Sequence, residues 1–269
     1  MARHLSDLIP NWVGPLGRGL IQPSYYIIDL TVFVVRAFRD WHGRVSLLNR
    51  ATYRSLVTQL IFTGIDALPA ITLLAFLFGV SIVTQLVTWI EVFGSKEDID
   101  IILSSVVVNE IAPIMTALVL MGRSGSAITV DLGNMKLHGE VEGLELLAIN
   151  VNHFFVTPRL IGAAVSHLVL AVYFSAISVI GGLASAALLF NIKYLSYLRD
   201  IWLAFDPVGL IFFSVKNLFF GLIIATTACY HGLSVGRSPT EVPQQTQQAI
   251  IRGLLLIFFV DGLFAVITP

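Results

Sequence analysis

Three residues stand where an apolar chain accommodates them least. Gln85, Glu110 and Lys216 each interrupt a long run of aliphatic and aromatic residues. A charged side chain in hydrocarbon costs at least ~2.5–3.5 kcal/mol, so such residues face one another, a water-filled cavity or a ligand. Two chemistries fit. Glu110 and Lys216 can form an ion pair that ties two helices together. The same residues, with Gln85, can line a polar recess for the head of an amphiphilic substrate. The two readings are compatible.

Other chemistries find less support. Gly122-Arg123-Ser124-Gly125 has the G-x-S-G form of the rhomboid serine proteases. That reaction needs the serine within the membrane and a histidine base on a later helix. His167 and His231 are the available partners, and the tetrapeptide falls where an apolar span meets the cytoplasm. A turn of small residues at a helix end is the better reading. There is no G-x-x-x-x-G-K-[ST] phosphate loop and no H-E-x-x-H, so neither ATP hydrolysis nor zinc proteolysis is visible in the chain. The histidines are scattered, and the single cysteine, Cys229, excludes an internal disulfide or a cysteine zinc cage. A net charge of −1 gives no bias toward nucleic acid.

The elements that position these residues are membrane spans. Charged residues are 12% of the chain, against about 25% in soluble domains. Mean hydropathy is +0.85, and the apolar residues fall in runs long enough to cross a bilayer. Spans are expected at about 55–92, 101–121, 160–190, 207–230 and 249–267, with a kink at Pro69. The segment 21–38 is apolar but carries Asp29 and Arg36, which suits an interfacial amphipathic helix better than a span. Asp7, Pro10 and Pro15 break up any signal-peptide core. The reading is an all-α membrane protein: an N-terminal cytoplasmic and interfacial region at 1–54, then one transmembrane domain at 55–269.

Seven arginines, from Arg3 to Arg54, precede the first span and put the N-terminus in the cytoplasm. Five spans then leave 92–100, 191–206 and the C-terminus outside, and 122–159 and 231–248 inside. Gln85, Glu110 and Lys216 consequently all lie roughly 10–14 Å from the outer surface. Equal depth lets them meet.

The inner segment 136–152 is unusual. Leu137, Val141, Leu144, Leu147 and Ala148 recur at helical spacing, while Glu140, Glu142 and Glu145 take other faces. This predicts a short amphipathic cytoplasmic helix. Its acidic residues argue against rest on an anionic inner leaflet and favour docking into a protein groove.

Taken together, these residues resemble the MlaE-type permeases of the MCE-associated phospholipid ABC transporters. The resemblance runs from about residue 55 onward. It is strongest in Asn109-Glu110-Ile111-Ala112-Pro113 and Gly122-Arg123-Ser124-Gly125-Ser126-Ala127, and continues through Leu132-Gly133, Met135-Lys136, Glu140, Leu144-Glu145 and Pro158-Arg159. Gln85 and Lys216 match the family's glutamine and lysine on the first and fourth spans. Three positions depart from it: Asn109 where arginine is frequent, Val141 where glutamine stands, and Asn150-Val151 where Asp-Pro stands.

The resemblance implies a homodimer in a bacterial inner membrane. Cytoplasmic ABC ATPase subunits would bind the ATP and magnesium, leaving this chain no cofactor and no catalytic or metal site. An MCE-domain protein outside would exchange phospholipid with it. The implied lipid pocket comprises Ile82, Gln85, Trp89, Asn109 and Glu110, beside Lys216. The implied coupling helix is 138–149, with Glu140, Leu144 and Glu145. The alternatives from other classes are an intramembrane serine protease and a scaffold subunit that transports nothing.

Overall fold

A computed structural model describes residues 25–37, 39, 50–85, 103–190 and 207–267. Every regular element among them is helical. Helix α1 covers 25–37, α2 Arg50–Thr63 and α3 Leu68–Phe78. Helices α4 (Ala112–Leu120) and α5 (Ser126–Leu137) follow, then α6 (Glu140–Leu146), α7 (Thr157–Phe190), α8 (Pro207–Leu233) and α9 (Glu241–Ile267). Among the described residues, five helical stretches are long and apolar enough to cross a bilayer: Tyr53–Ile82, Val106–Leu137, Phe154–Ser185, Pro207–Leu233 and Glu241–Ile267. The protein is a multi-pass membrane protein.

Helix α7 is the central post, packed against α2, α3, α4 and α8. Without a hydrophobic effect between helices in lipid, small residues and interhelical hydrogen bonds hold them together. A Cβ on Gly79 would lie 2.2 Å from the Ser178 carbonyl oxygen, and one on Gly221 2.5 Å from that of Ala163. Backbones approach here as only glycine permits. The Ser178 hydroxyl donates to the Ala75 carbonyl at 2.9 Å, and Thr72 meets the Tyr173 hydroxyl at 2.8 Å. Ile71, Leu120, Met121, Leu170, Phe174, Phe220 and Ile224 fill the core between these contacts.

Helix α1 stays outside the five spans and docks on α8 and α9. His231 Nδ1 donates to Gln245 Oε1 at 2.7 Å, so Nε2 accepts from the Tyr26 hydroxyl 3.1 Å away. Tyr230 meets the rings of Tyr26 and Phe33 edge-on, and the Arg252 guanidinium lies 4.7 Å from the Tyr26 centroid.

Several boundaries differ from the sequence expectation. The first span breaks at Gly64 and the 3-10 turn Ile65–Ala67, one turn before Pro69. Pro69 lies in the first turn of α3, where its missing N–H leaves no bond unmade. The second span does not end at Met121. It passes through a π-helical turn, Met121–Gly125, into α5. The residues of the G-x-S-G sequence are therefore helical, not a turn at a helix end. The last span starts at Glu241 rather than Ala249, so its polar first turns are helical too. The third is already helical in the π-helical turn Asn152–Val156, ahead of Leu160.

Helix α6 is the amphipathic helix expected between two spans, but it is short. It opens after Gly139, whose φ of +76° suits glycine, and closes at Leu146. Ala148 then turns left-handed, with φ +58°. Leu147 and Ala148 consequently leave the apolar face that the periodicity gave them, and Leu147 is exposed. Val141 is buried and Leu144 half-buried, while Glu140, Glu142 and Glu145 are exposed.

Candidate functional site

Lys216 is the centre of the polar site. It lies on the buried face of α8 and is only 4% exposed. Its Nζ donates to Glu110 Oε2 at 2.9 Å and to the Asn109 carbonyl oxygen at 2.9 Å. It also lies 2.7 Å from Asp261 Oδ1. The Phe220 ring is 5.9 Å away. One ammonium thus meets three oxygens from two other spans: two accept its protons, and the Asp261 carboxylate lies beside it as an ion-pair partner.

The elements explain how the three meet. Glu110 belongs to a π-helical segment, Leu103–Ile111, which runs directly into α4 at Ala112-Pro113. Proline cannot donate to the carbonyl four residues back, and that carbonyl belongs to Asn109. Lys216 supplies the missing donor. Asp261 comes from α9, near the same membrane face.

Equal depth brought Glu110 and Lys216 into view, and they form the pair expected. Asp261 was missed as their partner. Its signal was available, because it is a lone acid in the apolar second half of the last span. The three residues sum to one negative charge when all are ionised. Only the Glu110 side chain is open, at 36% exposure, against 12% for Asp261 and 5% for Lys216. The site therefore offers a carboxylate to its surroundings and holds its cation inside.

The other expected pocket residues are less closely joined. Ile82 is half-buried on the π-helical turn Gly79–Val83, and Gln85 is exposed just beyond it. That end of the first span packs on α7, with Thr84 2.9 Å from the Ser185 hydroxyl. No hydrogen bond or ion pair joins Gln85 to the cluster among the described residues. Asn109 is exposed and contributes its carbonyl oxygen. Trp89 lies outside the described residues, as do the loops 92–100 and 191–206.

Among the described residues, the serine of the G-x-S-G sequence has no base. Ser124 is fully buried, and its Oγ has no hydrogen-bond partner. His231 is engaged with Tyr26 and Gln245, and His167 packs on Phe220. An open groove of about 580 Å³ runs beside α6, lined by Lys136, Val141, Glu142, Glu145 and Leu233 among others.

Comparison with known proteins settles the family. The family described as Permease MlaE matches residues 56–267, most of the chain and all of the site. The chain belongs to the MlaE permease family. Among its relatives is a probable ABC transporter permease protein of Rickettsia bellii, 25% identical over 93% of this chain and 95% of that one. The intermembrane phospholipid transport system permease protein MlaE of Haemophilus influenzae is 23% identical over 97% of this chain and 98% of its own length. The chloroplastic protein trigalactosyldiacylglycerol 1 of Arabidopsis thaliana is 26% identical over 80% of this chain and 61% of its own. As a MlaE permease, the chain is a transport subunit, and its charged cluster lies in the transmembrane part that defines the family.

Proposed function

We propose that this permease moves phospholipid between the membrane and an MCE-domain partner, within a homodimer driven by cytoplasmic ABC ATPase subunits. The observation that carries the reading is the Glu110–Lys216–Asp261 cluster, buried in the spans with Glu110 alone left open. An open carboxylate within the membrane invites a polar partner, and a lipid headgroup with an ammonium or hydroxyl supplies one. Lys216 and Asp261 hold that carboxylate in place. Ile82, Gln85, Trp89 and Asn109 complete the pocket, with Ile82 and Trp89 against the acyl chains. The name of the Haemophilus influenzae relative supports phospholipid as the cargo.

The complex sits in a bacterial inner membrane, with its N-terminus cytoplasmic and its C-terminus outside. ATP and magnesium bind the partner ATPase. Helix α6 docks in that ATPase through Glu140, Leu144 and Glu145 and passes its movement to the second span, with which it is nearly continuous. A photo-crosslinking residue at Ile82 tests the pocket in the detergent-purified complex. It is expected to capture co-purified phospholipid, and one at Phe258 on α9 much less. Equal capture at both positions would remove the pocket.

A further inference from the structure

The second spanning helix carries another charged site. Arg123 lies thirteen residues, ~20 Å along the helix axis, to the cytoplasmic side of Glu110. Its Nη1 donates to the Phe62 carbonyl oxygen at 2.8 Å, and its guanidinium lies 5.2 Å from the centroid of the Phe62 ring. Nη2 is 3.9 Å from Asp66 Oδ2. That is well beyond a charge-assisted hydrogen bond of about 2.7–2.9 Å. The Arg123 and Asp66 side chains keep 33% and 50% exposure. Both belong to helices that cross the membrane.

Irregular backbone marks the same place. Asp66 is in the 3-10 turn that breaks the first span, and Arg123 in the π-helical turn that widens the second. The outer cluster has the same accompaniment, in the π-helical segment Leu103–Ile111 that carries Glu110. Such distortions inside helices recur at functional sites. The preceding residue, Gly122, is exposed, and a Cβ there would meet nothing within 4 Å. The Ser126 hydroxyl is already spent on the Gly122 and Arg123 carbonyls. Among the described residues, Arg123 has donors to spare and a loosely held counter-ion.

We propose that Arg123 is a phosphate-binding station on the cytoplasmic side of the membrane, taking the phosphate of a phospholipid headgroup in exchange for Asp66. The guanidinium fork matches two phosphate oxygens, and the contact it gives up is a long one. The inference rests on the lipid-transport reading and gives the path a second stop. The two stops are complementary: the outer one offers a carboxylate, the inner one a cation. A zwitterionic headgroup is held by opposite ends at each.

The test uses the assembled complex in vesicles of phosphatidylethanolamine and phosphatidylglycerol, with a photo-crosslinking residue replacing Gly122. The expected product is a diacyl phospholipid adduct, identified by mass. Asp66→Asn removes the competing carboxylate and is expected to raise capture several-fold relative to an Ile82 probe. Arg123→Gln is expected to abolish it and Arg123→Lys to restore part. Arg123→Gln also removes the Phe62 cap, so Asp66→Asn, which leaves that bond in place, is the deciding variant. Capture unchanged or lowered by Asp66→Asn overturns the proposal. So does an adduct with a second copy of the chain, which would make this face an interface. Absence of a lipid adduct, with inorganic phosphate protecting Arg123 from phenylglyoxal, assigns the guanidinium to free phosphate and also overturns it. Lipid capture at Ile82 but not at Gly122 sinks the second station alone, whereas loss at both sinks the transport reading beneath it.

Discussion

Lys216 and Glu110 should respond very differently to mutation, although they form one ion pair. Glu110→Ala leaves Lys216 its contacts with Asp261 and the Asn109 carbonyl. The lost partner is one-third exposed, and exposed pairs are worth only about 0–1 kcal/mol. Lys216→Met removes the cation from two carboxylates at once. Asp261, with 12% of its side chain exposed, is then an unpaired buried acid. Breaking a buried pair in this way costs about 3–5 kcal/mol. At about 1.4 kcal/mol per factor of ten, that is a loss of roughly 10² to 4 × 10³ in the folded-to-unfolded ratio. The expected pattern is therefore specific. Glu110→Ala should keep near-normal protein level and melting temperature in detergent while lipid transfer to the MCE partner falls. Lys216→Met should lose level and melting temperature together, and Lys216→Met with Asp261→Leu and Glu110→Gln should recover both without recovering transport. Lipid transfer and fluorescence-detected melting read the two quantities on the same preparations. If Glu110→Ala melts as low as Lys216→Met, the carboxylate is structural. If the triple variant transports normally, the cluster plays no part in handling lipid.

Three further outcomes are expected. In a Cys229→Ala background, single cysteines at Glu142 and Thr240 should label only from the cytoplasmic side and those at Glu97 and Asp200 from outside; external labelling at Glu142 would invert the topology. Glu140→Arg or Glu145→Arg should leave the chain folded in the membrane, since both side chains are exposed, yet uncouple ATP hydrolysis from transport; wild-type transport in both variants would remove α6 as the coupling element. Gly79→Ala should lower the melting temperature, at about 1–3 kcal/mol for an overpacked contact, because its Cβ would lie 2.2 Å from the Ser178 carbonyl oxygen, while Gly122→Ala should melt like the parent.

Much of this architecture was legible in one dimension. A bilayer has a single fixed thickness, so apolar run length alone locates the spans. Residues per turn convert position along a span into relative depth. By that arithmetic Glu110 and Lys216 were recognisable as potential partners. Depth carries no information about which way a helix faces. That Lys216 lies between Glu110 and Asp261, while Gln85 is left exposed, follows from the rotation of packed helices, and close approaches such as Gly221 against Ala163 set that rotation. Local backbone was hidden for a related reason. Gly122 to Gly125 read as a turn by composition, but the helix runs through them because Gly125 and Ser124 are buried against its neighbours. Leu147 read as apolar face by periodicity, but a left-handed residue at Ala148 ends the helix first. The sequence alone determined which stretches are apolar enough to span the membrane. Only tertiary packing decided which of them meet, because contact depends on helix rotation and spacing, and both are set by residues distant in the chain.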